Sequence, residues 1–237
     1  TARERDILGR PAPGAPAVYT RVPRPDAAVV QALSPFGVAT VHEAYHRRGL
    51  MHGLSPLDPE WRICGPAVTV LIHAGDNLMV HAAIEQCRPR DVLVVATLSP
   101  SSHGIFGELL ATLCAARGIA GLVNDAGVRD SQLIRRMGFP VWARAVSAAG
   151  STKHTPGWVN VPVVCGGVLV RPGDLVVADA DGVVVVKAED GAEVARRARE
   201  REEREEAIRT AYRAGTPKDV RQLLLDGGVA FIDSTER

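Results

Sequence analysis

The sequence predicts an α/β protein with strands in more than one layer and an arm at each end. Three observations lead there. Short apolar runs alternate with helical periods between residues 66 and 145. From Val159 to Lys187 the pattern changes to short valine-rich strands divided by Gly and Pro turns. The segments at both ends are proline-rich or highly charged and hold few core residues. The length, 237 residues, suits one large domain or two small ones. A chain of this size buries roughly 70% of its unfolded surface. Hydrophobic residues are 46% and charged residues 23%, which is globular rather than disordered. With aromatics at 4%, Val, Leu, Ile and Ala must fill the core.

The elements follow in order. In residues 1–25 proline recurs (Pro11, Pro13, Pro16, Pro23, Pro25), so an arm with little regular structure is expected, free to lie on a neighbour. Residues 26–50 read as helical through Val29, Val30 and Leu33, then Val38, Val41, Ala44 and Tyr45, with a break at Ser34-Pro35. Pro66 to Ile72 is strand-like, Asp76 to Cys87 helical, and Asp91 to Leu98 a buried strand. Ile105 to Arg117 is expected as a helix with Ile105, Leu109, Leu113 and Ala116 on one face, closed by Gly118. Ile119 to Val123 is a strand, Arg129 to Met137 a short helix ended by Gly138, and Phe139 to Ala145 a strand. Val161–Val164, Val168–Val170, Leu175–Ala178 and Val183–Lys187 are short strands, with a hairpin-like turn at Asp181-Gly182. Asp190 to Arg213 is a charged helix, either solvated and laced with i,i+4 ion pairs or packed along another subunit. With no repeat and no clear linker, the reading is one α/β domain, 26–190, between an N-terminal arm, 1–25, and a C-terminal helical arm, 191–237.

Several function classes are disfavoured. A net charge of +1 and a pI of about 7.7 give no field for gathering nucleic acid or anionic lipid, so neither is expected as a partner. No apolar run reaches 18 residues, and residues 1–25 lack the apolar stretch of a signal peptide. Cys64, Cys87, Cys114 and Cys165 form no C-x-x-C pair and lie in apolar or helical stretches. They read as small buried hydrophobes in a reduced, cytoplasmic protein.

Two motifs carry chemistry. His42-Glu43-Ala44-Tyr45-His46, extended through Gly49 to His52, matches the H-E-x-x-H-x-x-G-x-x-H pattern of zinc proteases. That fold needs a substantial sheet before the motif helix, whereas 41 residues precede His42 here and the first 25 form the arm. Met79 and Met137 both sit in helical stretches, so no methionine turn follows. A helix with surface histidines is the plainer reading. The second signal runs from Phe106 to Asp130. Gly107-Glu108-Leu109-Leu110 opens one helix, and Asn124-Asp125-Ala126-Gly127-Val128-Arg129-Asp130 follows a strand and opens the next. Glu108, Asp125, Asp130 and Arg129 thus fall at element ends, where α/β sheets place ligands. Free helix-start amides at Leu109 and Leu110 favour an anion, carboxylates with water suit Mg²⁺ or Mn²⁺, and Arg129 can grip a carboxylate with two hydrogen bonds.

The spacing of Glu108, Arg129 and Asp130, set in Gly-Glu-Leu-Leu-Ala and Asp-Ala-Gly-Val-Arg-Asp, resembles the class II pyruvate aldolases of the 4-hydroxy-4-methyl-2-oxoglutarate / 4-carboxy-4-hydroxy-2-oxoadipate aldolase family. Their superfamily includes the regulator of ribonuclease E activity. The likeness spans roughly residues 26–205 and includes Ala39–Ala44, Arg48–Met51, Gly65–Val70, Gly75-Asp76-Asn77, Phe139–Trp142, Val159–Pro162, Cys165–Gly167, Pro172–Asp174 and Ala178–Val183. It absorbs His42-Glu43 as part of a family helix with no zinc role. The resemblance implies a three-layer β/β/α sandwich, assembled as a homotrimer or a hexamer of two trimers with sites between subunits. It implies that Asp130 binds the metal directly, that Glu108 holds it through water, and that Arg129, Gly107 and the Leu109 and Leu110 amides hold a 2-oxo acid substrate. The implied reaction is retro-aldol cleavage of a 4-hydroxy-2-oxo acid such as 4-carboxy-4-hydroxy-2-oxoadipate, with oxaloacetate decarboxylation through the same enolate.

The sequence departs from the pattern in three places. Leu133 replaces an acid often found three positions after the aspartate, the loop Gly150–Trp158 keeps Lys153 but adds His154, Pro156 and Trp158, and Gly215–Val220 does not match the usual tail. Lys153 admits a Schiff-base route beside the metal route. Two other readings stay open: an enolate-forming enzyme on an unusual substrate, and a non-catalytic binding protein of the ribonuclease-regulator type.

Overall fold

In a computed structural model that describes residues 14–233 and Thr235, the chain passes through β1 (Ala17–Val18), α1 (Ala27–Leu33), α2 (Val38–Ala44), β2 (Ser55–Pro56), β3 (Ile63–Ile72), α3 (Leu78–Gln86) and β4 (Val92–Thr97). It continues through β5 (Gly104–Phe106), α4 (Glu108–Ala116), β6 (Gly121–Val128), α5 (Ser131–Met137), β7 (Val141–Val146), β8 (Trp158–Val159), β9 (Val163–Cys165) and β10 (Val168–Val170). The hairpin β11 (Leu175–Asp179) and β12 (Gly182–Val186) precedes α6 (Gly191–Arg213) and α7 (Arg221–Asp226). Two compact units result, one ending at Ala198 and the other beginning at Arg199.

In the first unit β3, β4, β6 and β7 pair in parallel, from Ala67↔Val92 through Leu93↔Leu122 to Val123↔Trp142. Both faces of this sheet are buried, which is why its strands read as continuous apolar runs. One face packs Val68, Val70, Leu93, Val95 and Leu122 against Ile84 of α3, Leu110 and Cys114 of α4 and Ile134 of α5. The other face packs Val92, Val94, Val123 and Trp142 against Val163, Val170, Val176 and Val185. The order of layers is therefore β/β/α, as expected. Helices α1, α2 and the start of α6 then cover the outer face of the hairpin at Leu175, Val177, Val184 and Val186. Strand β3 joins the two β layers: its first residues pair with β11 (Leu175↔Pro66, Ala178↔Ile63) and its later ones with β4.

Three expectations need correction. Ile105 is not helical. Gly104–Phe106 forms a short strand beside β6, and the helix starts only at Glu108. The apolar residues Leu109 and Leu113 do not make the buried face of α4; Leu109 is 78% exposed, while Leu110, Ala111 and Cys114 face the core. Both errors share a cause, since including Ile105 turned the helical period by part of a turn. Third, the described part of the N-terminal arm lies on its own chain. Ala17 and Val18 pair with Trp158 and Val159, the Trp158 indole donates to the Gly14 carbonyl (3.0 Å), and the Asn160 amide donates to the Tyr19 carbonyl (2.6 Å). The Arg24 guanidinium closes the arm on buried Asp91 (2.6 Å). Pro11 and Pro13 lie outside the described residues.

In the second unit, Arg201–Glu205 (2.6 Å) and Arg209–Glu206 (2.7 Å) pair along the helix, and the Arg221 guanidinium sits 4.1 Å over the Phe231 ring. Leu223, Leu224, Leu225 and Ile232 are exposed there. No helix of the described residues is long and apolar enough to cross a membrane.

One carboxylate anchors the loop between β7 and β8. Buried Asp76 accepts from the Leu78 amide (2.8 Å), the Thr152 hydroxyl (2.9 Å), the His154 amide (2.8 Å) and the Thr155 amide (3.0 Å). Burial alone would raise its pKa, but these four donors outweigh burial and bring it to about 2. A folded pKa below the unfolded value of 3.8 contributes stability that is complete above that value and is lost as pH falls toward about 2. Asp76→Asn is expected to cost about 1–2 kcal/mol at neutral pH. In urea unfolding, its gap to wild type should shrink below about pH 4. An equal midpoint at pH 7 would contradict the anchor.

Candidate active site

Strands β5 and β6 run in parallel, with Gly104 opposite Gly127 and Phe106 opposite Val128, so they end side by side. Each leads directly into a helix, β5 through Gly107 into α4 and β6 through Arg129-Asp130 into α5. The Arg129 amide donates to the Phe106 carbonyl (2.9 Å), which ties the two turns together. The sequence therefore brings Gly107, Glu108, Arg129 and Asp130 to one strand-end edge, the usual ligand position in such sheets.

The geometry there is tight. The Glu108 backbone amide, first of α4, donates to Asp130 Oδ2 (3.2 Å), and Arg129 Nε lies 3.7 Å from the same oxygen. A Cβ on Gly107 would lie 2.6 Å from Asp130 Oδ2 and 3.0 Å from Arg129 Nε, so a side chain there would push these two groups away from the turn. Gly104 is similar: a Cβ there would lie 3.0 Å from Arg129 Cβ and 2.4 Å from the Ser147 carbonyl oxygen. Asp130 has φ +57°, a left-handed conformation that costs a non-glycine residue energy and clusters at functional turns. Arg129 and Asp130 remain 47% and 41% exposed, so both can meet a ligand. The Leu109 and Leu110 amides follow in the first turn of α4, where helical amides have no acceptor within the helix. Glu108 holds its carboxylate along α4, accepting from the Thr112 hydroxyl (2.8 Å).

Not every candidate joins this group. Asp125 belongs to the opposite face of β6, where it pairs with Arg144 and accepts from the Gly166 amide (3.0 Å). Leu133 is an exposed residue of α5. Trp158 stacks near His73, 6.2 Å between ring centroids, and bonds the arm, so its bulk has a structural use. Lys153 and His154 are exposed on the loop held by Asp76. The zinc motif does not assemble. Helix α2 ends at Ala44, His46 lies beyond it with φ +57° beside Arg197, and Glu43 pairs with Arg47 (3.0 Å). No group of three or more His, Cys, Asp or Glu side chains suited to a metal occurs among the described residues. The four cysteines are free, and burial pushes Cys64 and Cys114 up to about 12 and raises Cys87 and Cys165 as well. At neutral pH they are thiols, not nucleophiles.

Sequence reasoning gave no role to Gly104, Asp76 or Asn77. Their signals were local: a glycine opening a short strand, and an Asp-Asn pair before a helix, which marks an N-terminal turn.

Comparison with known proteins shows the family and the fold. Residues 38–185 match the family model described as RraA-like, Aldolase/RraA. A protein of Halalkalibacterium halodurans, provisionally named a 4-hydroxy-4-methyl-2-oxoglutarate aldolase, is 37% identical over 154 residues, 65% of this chain and 73% of that one. The crystal structure of Streptomyces coelicolor RraAS2, described as an unusual member of the RNase ES inhibitor RraA family, superposes with a TM-score of 0.72 at 33% identity, covering 79% of this chain and 99% of the other. The RNA-processing inhibitor RraA from Thermus thermophilus gives 0.58 at 27% identity, over 64% of this chain and 92% of that one. The matched segment holds the whole strand-end edge from Gly104 to Asp130, and on these grounds the chain belongs to the Aldolase/RraA family.

Proposed function

We propose that this chain is a divalent-metal-dependent aldolase that cleaves a 4-hydroxy-2-oxo acid into pyruvate and a second 2-oxo acid, working as a trimer or a hexamer of two trimers in the cytoplasm. The observation that carries the reading is the convergence of Arg129, Asp130 and the first amide of α4 on one point, with Gly107 clearing the space between them. The residues suit a hard ion. Asp130 offers one half-exposed carboxylate and Glu108, whose amide reaches it, carries a second held along α4 by Thr112, which leaves most coordination positions to water and substrate, as Mg²⁺ or Mn²⁺ prefers. Asp130 would hold the ion directly and Glu108 through water. When bound, the ion supplies Lewis acidity to the 2-oxo group.

The chain's own groups do the rest. Arg129 grips the pyruvyl carboxylate, and the Leu109 and Leu110 amides complete an anion site at the positive end of α4. Breaking the C3–C4 bond leaves its electron pair on the pyruvyl half as an enolate, and the Arg129 charge stabilises it. Glu108 takes up, through water, the proton leaving the 4-hydroxyl. Decarboxylation of oxaloacetate yields the same enolate and would use the same groups. The RNase inhibitor relatives support a second reading, a ribonuclease-binding protein. Glu108, Arg129 and Asp130 favour the enzyme.

Three outcomes test this. EDTA should abolish pyruvate release from 4-hydroxy-4-methyl-2-oxoglutarate, and Mg²⁺ or Mn²⁺ should restore it; full activity in EDTA would remove the metal from the scheme. Arg129→Ala should lower kcat/KM by about 10²-fold or more, the usual effect of deleting a charge-stabilising group. Wild-type turnover in that variant would place the site elsewhere. Gly107→Ala should cost activity while thermal unfolding stays close to wild type, because its methyl group would displace Asp130 and Arg129 rather than the core.

A further inference from the structure

The parallel sheet has two ends. Its C-terminal end carries the candidate site at Gly107 and Arg129-Asp130. Its N-terminal end gathers turns that bear arginine. The turn 88–91 enters β4, and the turn 117–120 enters the neighbouring strand β6. The Arg90 amide donates to the Gly118 carbonyl (2.7 Å), so these two turns touch. A Cβ on Gly65, in the first part of β3, would lie 2.1 Å from the Arg90 carbonyl oxygen. The turn 171–174 is tied to β3 as well, because the Gly173 amide donates to the Ala67 carbonyl (2.9 Å). A Cβ on Gly173 would lie 2.2 Å from the Pro23 carbonyl oxygen, which brings residues 21–24 of the arm to the same end.

Arg21, Arg88, Arg90, Arg117 and Arg171 are exposed there, and none makes an ion pair among the described residues. Most of the nearby acid is already satisfied. Asp91 is held by Arg24 (2.6 Å). Asp174 is buried and accepts from the Arg171 amide (2.8 Å) and the Ala188 amide (3.2 Å). Glu85 remains as an exposed acid, with Arg117 donating to its carbonyl (3.3 Å). The whole chain carries a net charge of +1, so positive charge is concentrated at this end. The average hides it, because these arginines are scattered through the sequence and only the fold collects them.

We infer that this end of the sheet is a docking surface for the phosphate backbone of a single nucleic-acid strand. Three features select that partner. Guanidinium groups grip phosphate through paired hydrogen bonds. The segments that carry them expose no large apolar side chain, so the apolar centre of a protein interface is missing. They are turns, with no helix or β-ribbon to enter a duplex groove, whereas a flexible strand can follow arginines on strands about 5 Å apart. With no exposed aromatic side chain for bases to stack on, binding rests on charge alone and is indifferent to sequence. The inference is independent of the aldolase reading.

Fluorescence anisotropy with the full chain and a labelled strand of about 20 nucleotides tests it, with RNA and DNA as separate arms. Wild type should bind both with a Kd of about 10⁻⁶–10⁻⁴ M in about 50 mM salt, and log K should fall with log salt by about 0.7 for each phosphate held. Arg88→Gln combined with Arg90→Gln should weaken binding about 10-fold and flatten that slope by about 1.4. Should the double variant unfold, Arg117→Gln and Arg171→Gln taken singly should each flatten it by about 0.7. Lys153→Gln, on the loop after β7, should leave the slope as it is. No binding of either strand, or an unchanged slope in the folded arginine variants, overturns the surface. So does a duplex of equal length that binds more tightly, or polyglutamate that displaces the strand on equal terms, the mark of an acidic protein partner.

Discussion

The site depends on the close approach of two strand ends, and glycine makes that approach possible. Gly104 and Gly127 face each other across β5 and β6, and a Cβ on Gly127 would lie 2.1 Å from the Ser102 carbonyl oxygen. With side chains at these points the strands could not end together. Gly107 would then not meet Arg129 and Asp130, and the first amide of α4 would lack the Asp130 carboxylate. The left-handed conformation of Asp130 follows from the same constraint, because the chain must turn at once from β6 into α5 while returning its carboxylate to α4. That strained residue persists because a hydrogen bond and an ion pair hold it on either side.

Most of the layering was legible because burial leaves a period. The parallel strands read as unbroken apolar runs, and Gly118 and Gly138 both have positive φ at the helix ends they were expected to close. The hairpin itself was equally plain, although its turn residues are Ala180 and Asp181, one position before the expected Asp181-Gly182, with Gly182 already paired to Asp179 in β12. What failed was the segment at the site. Ile105 and Phe106 are apolar in either a strand or a buried helix, and three residues are too few to show a period. Long-range contacts were illegible for another reason. The bond from Asn77 to Ile105 and those from Asp76 to the 152–155 loop join residues 28 or more positions apart, and no local pattern encodes them.

For the candidate site residues the division is similar. Glu108, Arg129 and Asp130 stand at element ends, so residue type made them candidates, and the family resemblance singled them out. Asp125 carried the same signal but is turned to the other side, where it pairs with Arg144. Its partners, Arg144 and Gly166, belong to β7 and to the second β layer, so it joins the two β layers. Asp125 itself lies within the irregularity between Asn124 and Gly127, so counting residues from it to Arg129 does not give the facing of both.

Two aspartates near the strand ends differ in exposure and in the number of donors that reach them. Asp76, sealed among four donors, is held well below the usual carboxylate range. Asp130 has fewer donors and stays open to water. A buried carboxylate that is fully satisfied fixes a loop, and one that is partly satisfied and exposed is free to take a cation. The two aspartates thus differ in how fully each carboxylate is satisfied by the fold. The difference lies in how many amides reach each one, and that number is set by the turns on which each aspartate sits.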